Sequence, residues 1–150
     1  MKTPKIKAGA RWLAVVAALL PGACFFPAEE PASPLLGTWA SSGNNRVTFT
    51  ANAVVVTPEK GPQTTMSAAE CNGRYKLVYG RMQSAALEQS FPSQKDLQAK
   101  LKQLLVQPEY PVADVTCDEG GTTYVQLNDR QVLAVYRDAG IGGTENLTRL

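Results

Sequence analysis

Short runs of alternating apolar and polar residues, separated by turn-forming residues, limit most strongly how this chain folds. The run RVTFTA alternates Val47 and Phe49 with threonines, and RYKLVYG places Tyr75, Leu77 and Tyr79 on one face. Successive side chains of a β-strand point to opposite faces, so each run gives a strand with one buried face. Similar runs recur along most of the chain. They predict a mainly β fold of seven to eight strands, a small antiparallel barrel or sandwich meander.

One segment has the period of a helix instead. Its leucines fall at i, i+4, i+7 and i+8, which places them on one stripe. They are Leu97, Leu101, Leu104 and Leu105. With Ser93 as N-cap and Pro108 as a stop, we predict one inserted amphipathic helix at about 93–106, and 84–89 is a second helical candidate. The stripe either packs on the sheet or docks a partner protein.

The first 23 residues have the layout of an export signal. Four basic residues and no acidic residue precede an apolar run at 12–20, which Pro21 ends. Nine residues in a helix span about 14 Å, against about 30 Å for the hydrocarbon core of a bilayer. We therefore interpret 1–23 as a signal peptide and not as a stable membrane span.

The sequence LPGAC, which ends this segment, resembles the lipobox of bacterial lipoprotein precursors. In that family the cysteine is acylated and the chain is cut just before it. Gly22 and Ala23 match the small lipobox residues, whereas Pro21 stands at the usual leucine position and Leu20 lies one place earlier. The resemblance implies lipid attachment at Cys24 and a membrane partner through that anchor.

The rest of the chain divides into a tether and one domain. Residues 24–34 combine prolines and glutamates, a composition typical of an extended linker, and 35–150 carry the strand pattern of a single β-rich domain.

In the lipoprotein family, an aspartate after the acylated cysteine retains the protein in the inner membrane. Here Phe25 replaces it, so the resemblance implies the outer membrane, periplasmic face.

Three cysteines leave one unpaired thiol if the other two form a disulfide in an oxidising compartment. Lipidation of Cys24 accounts for the odd thiol and leaves Cys71 and Cys117 to form the bond. Two alternatives stay open. Cys24 is a free or chain-linking thiol in a simply secreted protein, or Cys71 and Cys117 are separate buried thiols.

The charge balance and the absence of histidine exclude several functions. The chain has 15 Lys+Arg and 13 Asp+Glu, but four of the bases lie before Cys24, so the processed chain keeps 11 bases against 13 acids. This balance gives no electrostatic footprint for nucleic acid. Without histidine, the commonest general base and nearly all catalytic zinc sites are excluded.

Catalysis by other groups has little support. Gly-x-Ser-x-Gly, Ser-x-x-Lys and P-loop motifs are absent. Paired carboxylates could hydrolyse glycosides, and the candidates are Glu70, Glu88, Glu109, Asp114, Asp118 and Glu119. Thirteen acids are expected on the surface of a soluble domain in any case, so we predict a protein that is not an enzyme, with no cofactor and no metal.

The sequence LLGTW resembles the Gly-x-Trp start of lipocalin-type barrels. In that family the tryptophan closes the barrel floor and stacks against an arginine beyond the last strand, and Trp39 and Arg149 stand at the matching positions. The inserted helix and the absence of the family's other motifs depart from it. The alternative is a core tryptophan at the start of any small antiparallel domain.

Two kinds of non-catalytic function follow. A binding module holds a small apolar ligand or a protein partner. Strand residues near Trp39, Phe49, Tyr75 and Tyr79 would line its pocket. An inhibitor or secretion accessory factor instead has a filled core and an envelope protein as its partner. We expect a membrane-anchored, non-catalytic binding module of the bacterial cell envelope, with the accessory factor as the alternative.

Overall fold

The computed structural model describes residues 32–138 and 141–150, which form nine strands and two helices. The strands are β1 (Gly37–Ser41), β2 (Arg46–Phe49), β3 (Val54–Thr57), β4 (Thr64–Met66), β5 (Tyr75–Gln83), β6 (Glu109–Cys117), β7 (Gly120–Asn128), β8 (Gln131–Asp138) and β9 (Ile141–Arg149). The helices, α1 (Ser84–Gln89) and α2 (Lys95–Leu104), lie between β5 and β6. The predicted signal peptide, Cys24 and most of the predicted tether lie outside the described residues.

All of these strands belong to one antiparallel sheet with the order β4-β3-β2-β1-β9-β8-β7-β6-β5. Strands that are neighbours in sequence pair, except that β4 and β5 do not, and β1 pairs with β9. The sheet curls into a nearly closed barrel with β4 and β5 at its edges. The prediction of a mainly β, small antiparallel barrel with an inserted helix is confirmed.

The strand count is higher than the seven or eight predicted. β4 has only three residues, too few for an alternating pattern, and it lies within a segment rich in turn-forming residues. β9 begins in a glycine-rich stretch, and glycine is disfavoured in strands. β9 is a strand because it pairs with β8 on one side and with β1 on the other, not because of its local sequence.

The inserted helix is shorter at its start than predicted. A turn precedes α2, in which the Gln94 N–H donates to the Phe91 carbonyl at 3.1 Å. The N-cap is therefore Gln94, not the predicted Ser93, and no side chain caps it. The predicted second helical turn is present as α1, directly after β5.

Buried side chains fill the interior of the barrel. Phe49 of β2 and Tyr124 of β7 meet across it as an edge-to-face pair, with ring centroids 4.8 Å apart. Other members of this inner core are Leu35, Trp39, Val47, Val54, Ala113, Val115, Val132, Ala134 and Leu147. These residues come from every strand except β4 and β5 and from Leu35 just before β1, and they pack into one core inside the barrel.

A second core lies outside the barrel, between the helices and strands β6 to β8. Leu97 and Leu101 of α2 are 9% and 0% exposed, and Leu105 just after it is 5% exposed. They pack with Leu87, Phe91, Tyr110, Val112, Val125, Leu133 and Val135. The interpretation of the leucine stripe as an open docking face is therefore wrong, because the stripe covers the sheet.

The predicted pair Cys71–Cys117 is at disulfide distance, with Cα atoms 5.1 Å apart and sulfurs 2.09 Å apart. Cys71 precedes β5 and is fully buried, and Cys117 ends β6. The bond ties the start of β5 to the end of its neighbour. Closing the loop between Cys71 and Cys117 stabilises the fold by about 4 kcal/mol in the chain-entropy model.

Candidate functional site

The first part of the site is the end of the barrel around Trp39. This side chain is fully buried, and its indole Nε1–H donates to the Leu35 carbonyl at 2.8 Å. A buried indole N–H needs such a partner, because an unpaired one costs free energy. Leu35 is itself fully buried, so the chain just before β1 plugs this end of the barrel.

Arg149 lies over that tryptophan. It is the cross-strand neighbour of Trp39 in the β1–β9 pair, and its Cζ lies 5.1 Å from the ring centroid. Its Nη2 also donates to the Leu36 carbonyl at 3.4 Å. Gly37, between these residues, has φ +117°, a backbone conformation that glycine adopts without strain. The geometry is that of a closed floor, with a cation on an aromatic face.

The predicted pocket residues fall into two groups. Trp39 and Phe49 are 0% and 2% exposed and belong to the packed interior. Tyr75 and Tyr79 of β5 are half-buried and lie at the edge of the sheet. The structure brings the four to one core, in which Trp39 and Phe49 are buried members and Tyr75 and Tyr79 pack against them from the edge strand.

The two tyrosines of β5 form the second part of the site. Tyr79 OH donates to the Thr50 carbonyl at 2.6 Å, and Tyr75 OH donates to the Asn52 carbonyl at 2.7 Å. Both acceptors belong to the turn between β2 and β3. These side chains thus connect the last edge strand of the sheet to its other half.

Burial controls the ionisation of these phenols. Burial, and to a smaller extent the neighbouring Tyr75, together raise the pKa of Tyr79 to about 12. Burial also raises the pKa of Tyr75. Both phenols are therefore harder to ionise than a free tyrosine, and their hydroxyls serve as hydrogen-bond donors.

A polar group inside the barrel was not expected from the sequence. Tyr136 OH donates to Glu145 Oε2 at 2.5 Å. The pKa of the nearby Tyr124 is raised to about 12, mainly by burial; a hydrogen bond with Thr122 opposes the shift and the Glu145 carboxylate adds to it. The strand alternation could have placed the two tyrosines on the inner face, but Glu145 lies in the glycine-rich segment where that pattern is lost.

The predicted carboxylate candidates are engaged separately. Asp114 accepts hydrogen bonds from Arg137 and Thr123 on the outer face of the sheet. Glu109 forms an ion pair with Arg81. Asp118 and Glu119 are adjacent in the β6–β7 turn, where Asp118 accepts a hydrogen bond from Asn72. Glu70 lies in the β4–β5 loop, and Glu88 lies in α1. Within the described residues, no group of three or more His, Cys, Asp or Glu side chains is placed to hold a metal ion.

Comparison with known proteins gives no family for this chain. No protein-family model, curated protein or solved structure matches it. In the part of the chain that the structure describes, neither helix is long and apolar enough to cross a bilayer.

Proposed function

We propose that this protein is a non-catalytic module of the bacterial cell envelope that binds a protein partner through its surface. The observation that carries the proposal is the packed interior, in which Trp39 and Phe49 expose almost no surface. A ligand held inside a barrel needs an open, mostly apolar cavity. A packed barrel offers its outer surface and its edges instead.

The chemistry of the described residues supports a binding role. The hydroxyls of Tyr75 and Tyr79 donate to backbone carbonyls and so make structural contacts. Asp114 and Glu109 each have a cationic partner. These tyrosines and carboxylates are thus engaged in contacts within the domain.

Location is the second element of the proposal. We propose that Cys24 carries the lipid, that 24–34 tether the domain, and that the anchor lies in the outer membrane on its periplasmic face. The lipobox-like sequence and the Cys71–Cys117 pair support this, because disulfides persist in oxidising compartments. Two or more acyl chains give stable anchoring, whereas one gives marginal binding.

The anchor is tested by intact mass spectrometry of membrane-extracted protein, with and without a reducing agent. We expect the mass of residues 24–150 plus acyl chains, rising by two hydrogens on reduction. An unacylated mass would contradict the anchor and make Cys24 a free or chain-linking thiol.

The binding mode is tested in two arms on the same protein. In the first, a fluorescent fatty acid is titrated into the chain, and we expect no saturable signal; stoichiometric binding would instead support a ligand cup. In the second, cross-linking in intact envelopes is followed by mass spectrometry. We expect one protein partner joined in stoichiometric yield, and no partner above the background of an unrelated lipoprotein would contradict the proposal.

A further inference from the structure

The barrel wall has a seam, which is the gap between the edge strands β4 (Thr64–Met66) and β5 (Tyr75–Gln83). Among the described residues, β5 pairs only with β6, and β4 pairs only with β3. The side chains of Tyr75 and Tyr79 span from β5 to the β2–β3 turn, so side chains rather than a backbone ladder complete the wall there.

The bonds at the two ends of the β5–β6 pair show where the backbone groups of β5 point. The Ser84 N–H donates to the Pro108 carbonyl at 2.9 Å, and the Asp118 N–H donates to the Arg74 carbonyl at 3.0 Å. Residues of an antiparallel pair alternate between facing the partner strand and facing away. Even-numbered residues of β5 therefore face β6, and odd-numbered residues direct their N–H and C=O groups into the seam.

These outward groups form an open strand edge. Within residues 32–138 and 141–150, no hydrogen bond to the backbone of an odd-numbered β5 residue is found outside the β5–β6 ladder. The strand has nine residues, contains no proline and pairs with β6 without a register shift. Proteins usually shorten, bend or interrupt such edges, because an open edge accepts another strand.

The side chains beside the seam favour an apolar, alternating segment. Tyr75, Leu77 and Tyr79 of β5 and Val56 and Met66 on the other wall pack against the inner core. All five are only half-buried. A strand laid along β5 would cover them with every second side chain, and apolar residues at those positions would extend the core.

The outer face of β5 adds a charge. Lys76 is exposed there, beside Val78, which is 44% exposed. Lys76 makes no ion pair within the described part of the chain. Opposite charges on neighbouring strands attract, so an acidic residue on the adjacent strand suits this position.

We propose that the seam binds an extended segment of a protein partner, which adds as a strand along β5 with alternate apolar residues facing inward and an acidic residue beside Lys76. Backbone hydrogen bonds to an open edge supply affinity, and alternate side chains supply specificity. The inference rests on the proposed function and deepens it by naming the surface and the chemistry of the partner.

The first test is amide hydrogen exchange on the full chain, followed by NMR. We expect fast exchange at Leu77 and Tyr79, which face the seam, and slow exchange at Lys76 and Val78, which face β6. Slow exchange at all four without added partner would overturn the proposal, because a second copy or another part of this chain would already cover the edge.

The second test is titration with a synthetic eight-residue probe of alternating valine and threonine, with one glutamate among the outward positions. We expect saturable NMR shifts at Tyr75, Leu77 and Tyr79. The matched control is the same peptide N-methylated at the residues whose N–H groups would face β5. It keeps the side chains and lacks the donors, so equal binding by both peptides would overturn strand addition.

The charge preference is tested with Lys76→Glu, a substitution on the exposed face. We expect it to weaken the glutamate probe about two- to fivefold and to strengthen a lysine version of the probe to a similar degree. Unchanged affinities would remove the acidic residue from the proposal. No probe binding alongside a cross-linked envelope partner would overturn this inference alone, whereas probe binding without any envelope partner would overturn only the proposed function.

Discussion

Arg149 lies over the indole of Trp39, with the guanidinium carbon 5.1 Å from the ring centroid and the two residues paired across β1 and β9. The contact joins the first and last strands of the barrel. It holds the end of the barrel at the place where the chain enters the domain, because the indole N–H also binds the Leu35 carbonyl.

Replacing Arg149 by alanine is expected to lower the free energy of unfolding by about 0.5–1 kcal/mol, the usual value of a cation–π contact at an exposed site. Urea unfolding measures it. Arg149→Lys is the matched control, since it keeps the cation and should retain part of the stability. Unchanged stability in Arg149→Ala would contradict an energetic role for the contact with Trp39.

Removing the disulfide is expected to cost about 2–4 kcal/mol, because the unfolded chain gains freedom. The double variant Cys71→Ser, Cys117→Ser should show it as a lower midpoint of chemical unfolding. The control is Cys24→Ser, which should leave the midpoint of the domain unchanged. A double variant as stable as the parent would contradict a stabilising effect of the disulfide on the fold.

The raised pKa values of Tyr79 and Tyr124 predict a loss of stability in alkali. Because the folded pKa of Tyr79 and of Tyr124 is about 12 and the unfolded value is about 10, the unfolded state binds fewer protons between these values. The contribution of these groups is fully present below about pH 10 and is lost as the pH rises towards 12. Unfolding midpoints measured from pH 8 to 11.5 should fall over that window.

The variant Tyr79→Phe separates the two effects of this tyrosine. It removes the bond to the Thr50 carbonyl, which should cost about 1 kcal/mol at neutral pH. It should also make the alkaline loss of stability shallower, because one raised pKa is gone. An unaltered slope would mean that Tyr79 ionises alike in both states.

Gln126 predicts a stabilising substitution. Its side chain is 5% exposed, and Oε1 has no hydrogen-bond partner among the described residues. A buried polar atom without a partner costs about 1–3 kcal/mol. Gln126→Met, which keeps the length of the side chain, is therefore expected to raise the unfolding free energy by about 1 kcal/mol. Destabilisation would show that the amide has a partner such as a buried water.

Much of the fold follows from local pattern. Val47 and Phe49 alternate as the inner face of β2 requires, and the leucine spacing around Leu101 gives the helix and its buried face. The number of cysteines, together with the lipobox-like sequence at Cys24, led to the Cys71–Cys117 pair. These features are short-range or depend only on residue type, so one sequence is enough to predict them.

The seam could not be predicted in this way. Whether a sheet closes as a barrel or splits into a sandwich depends on strand order and register, which involve residues far apart in the chain. The sequence shows Tyr75 and Tyr79 on one face but not that they reach the turn at Thr50 and Asn52. It also gave no sign that the interior would be filled rather than hollow.

The strand at the open edge is tied at both of its ends. The disulfide holds its start next to β6, and the bond from Ser84 to the Pro108 carbonyl holds its finish where α1 begins. Strand ends are where local unfolding usually begins. With both ends held, β5 is already ordered before a partner binds. The conformational entropy lost on binding then comes from the partner segment and not from β5.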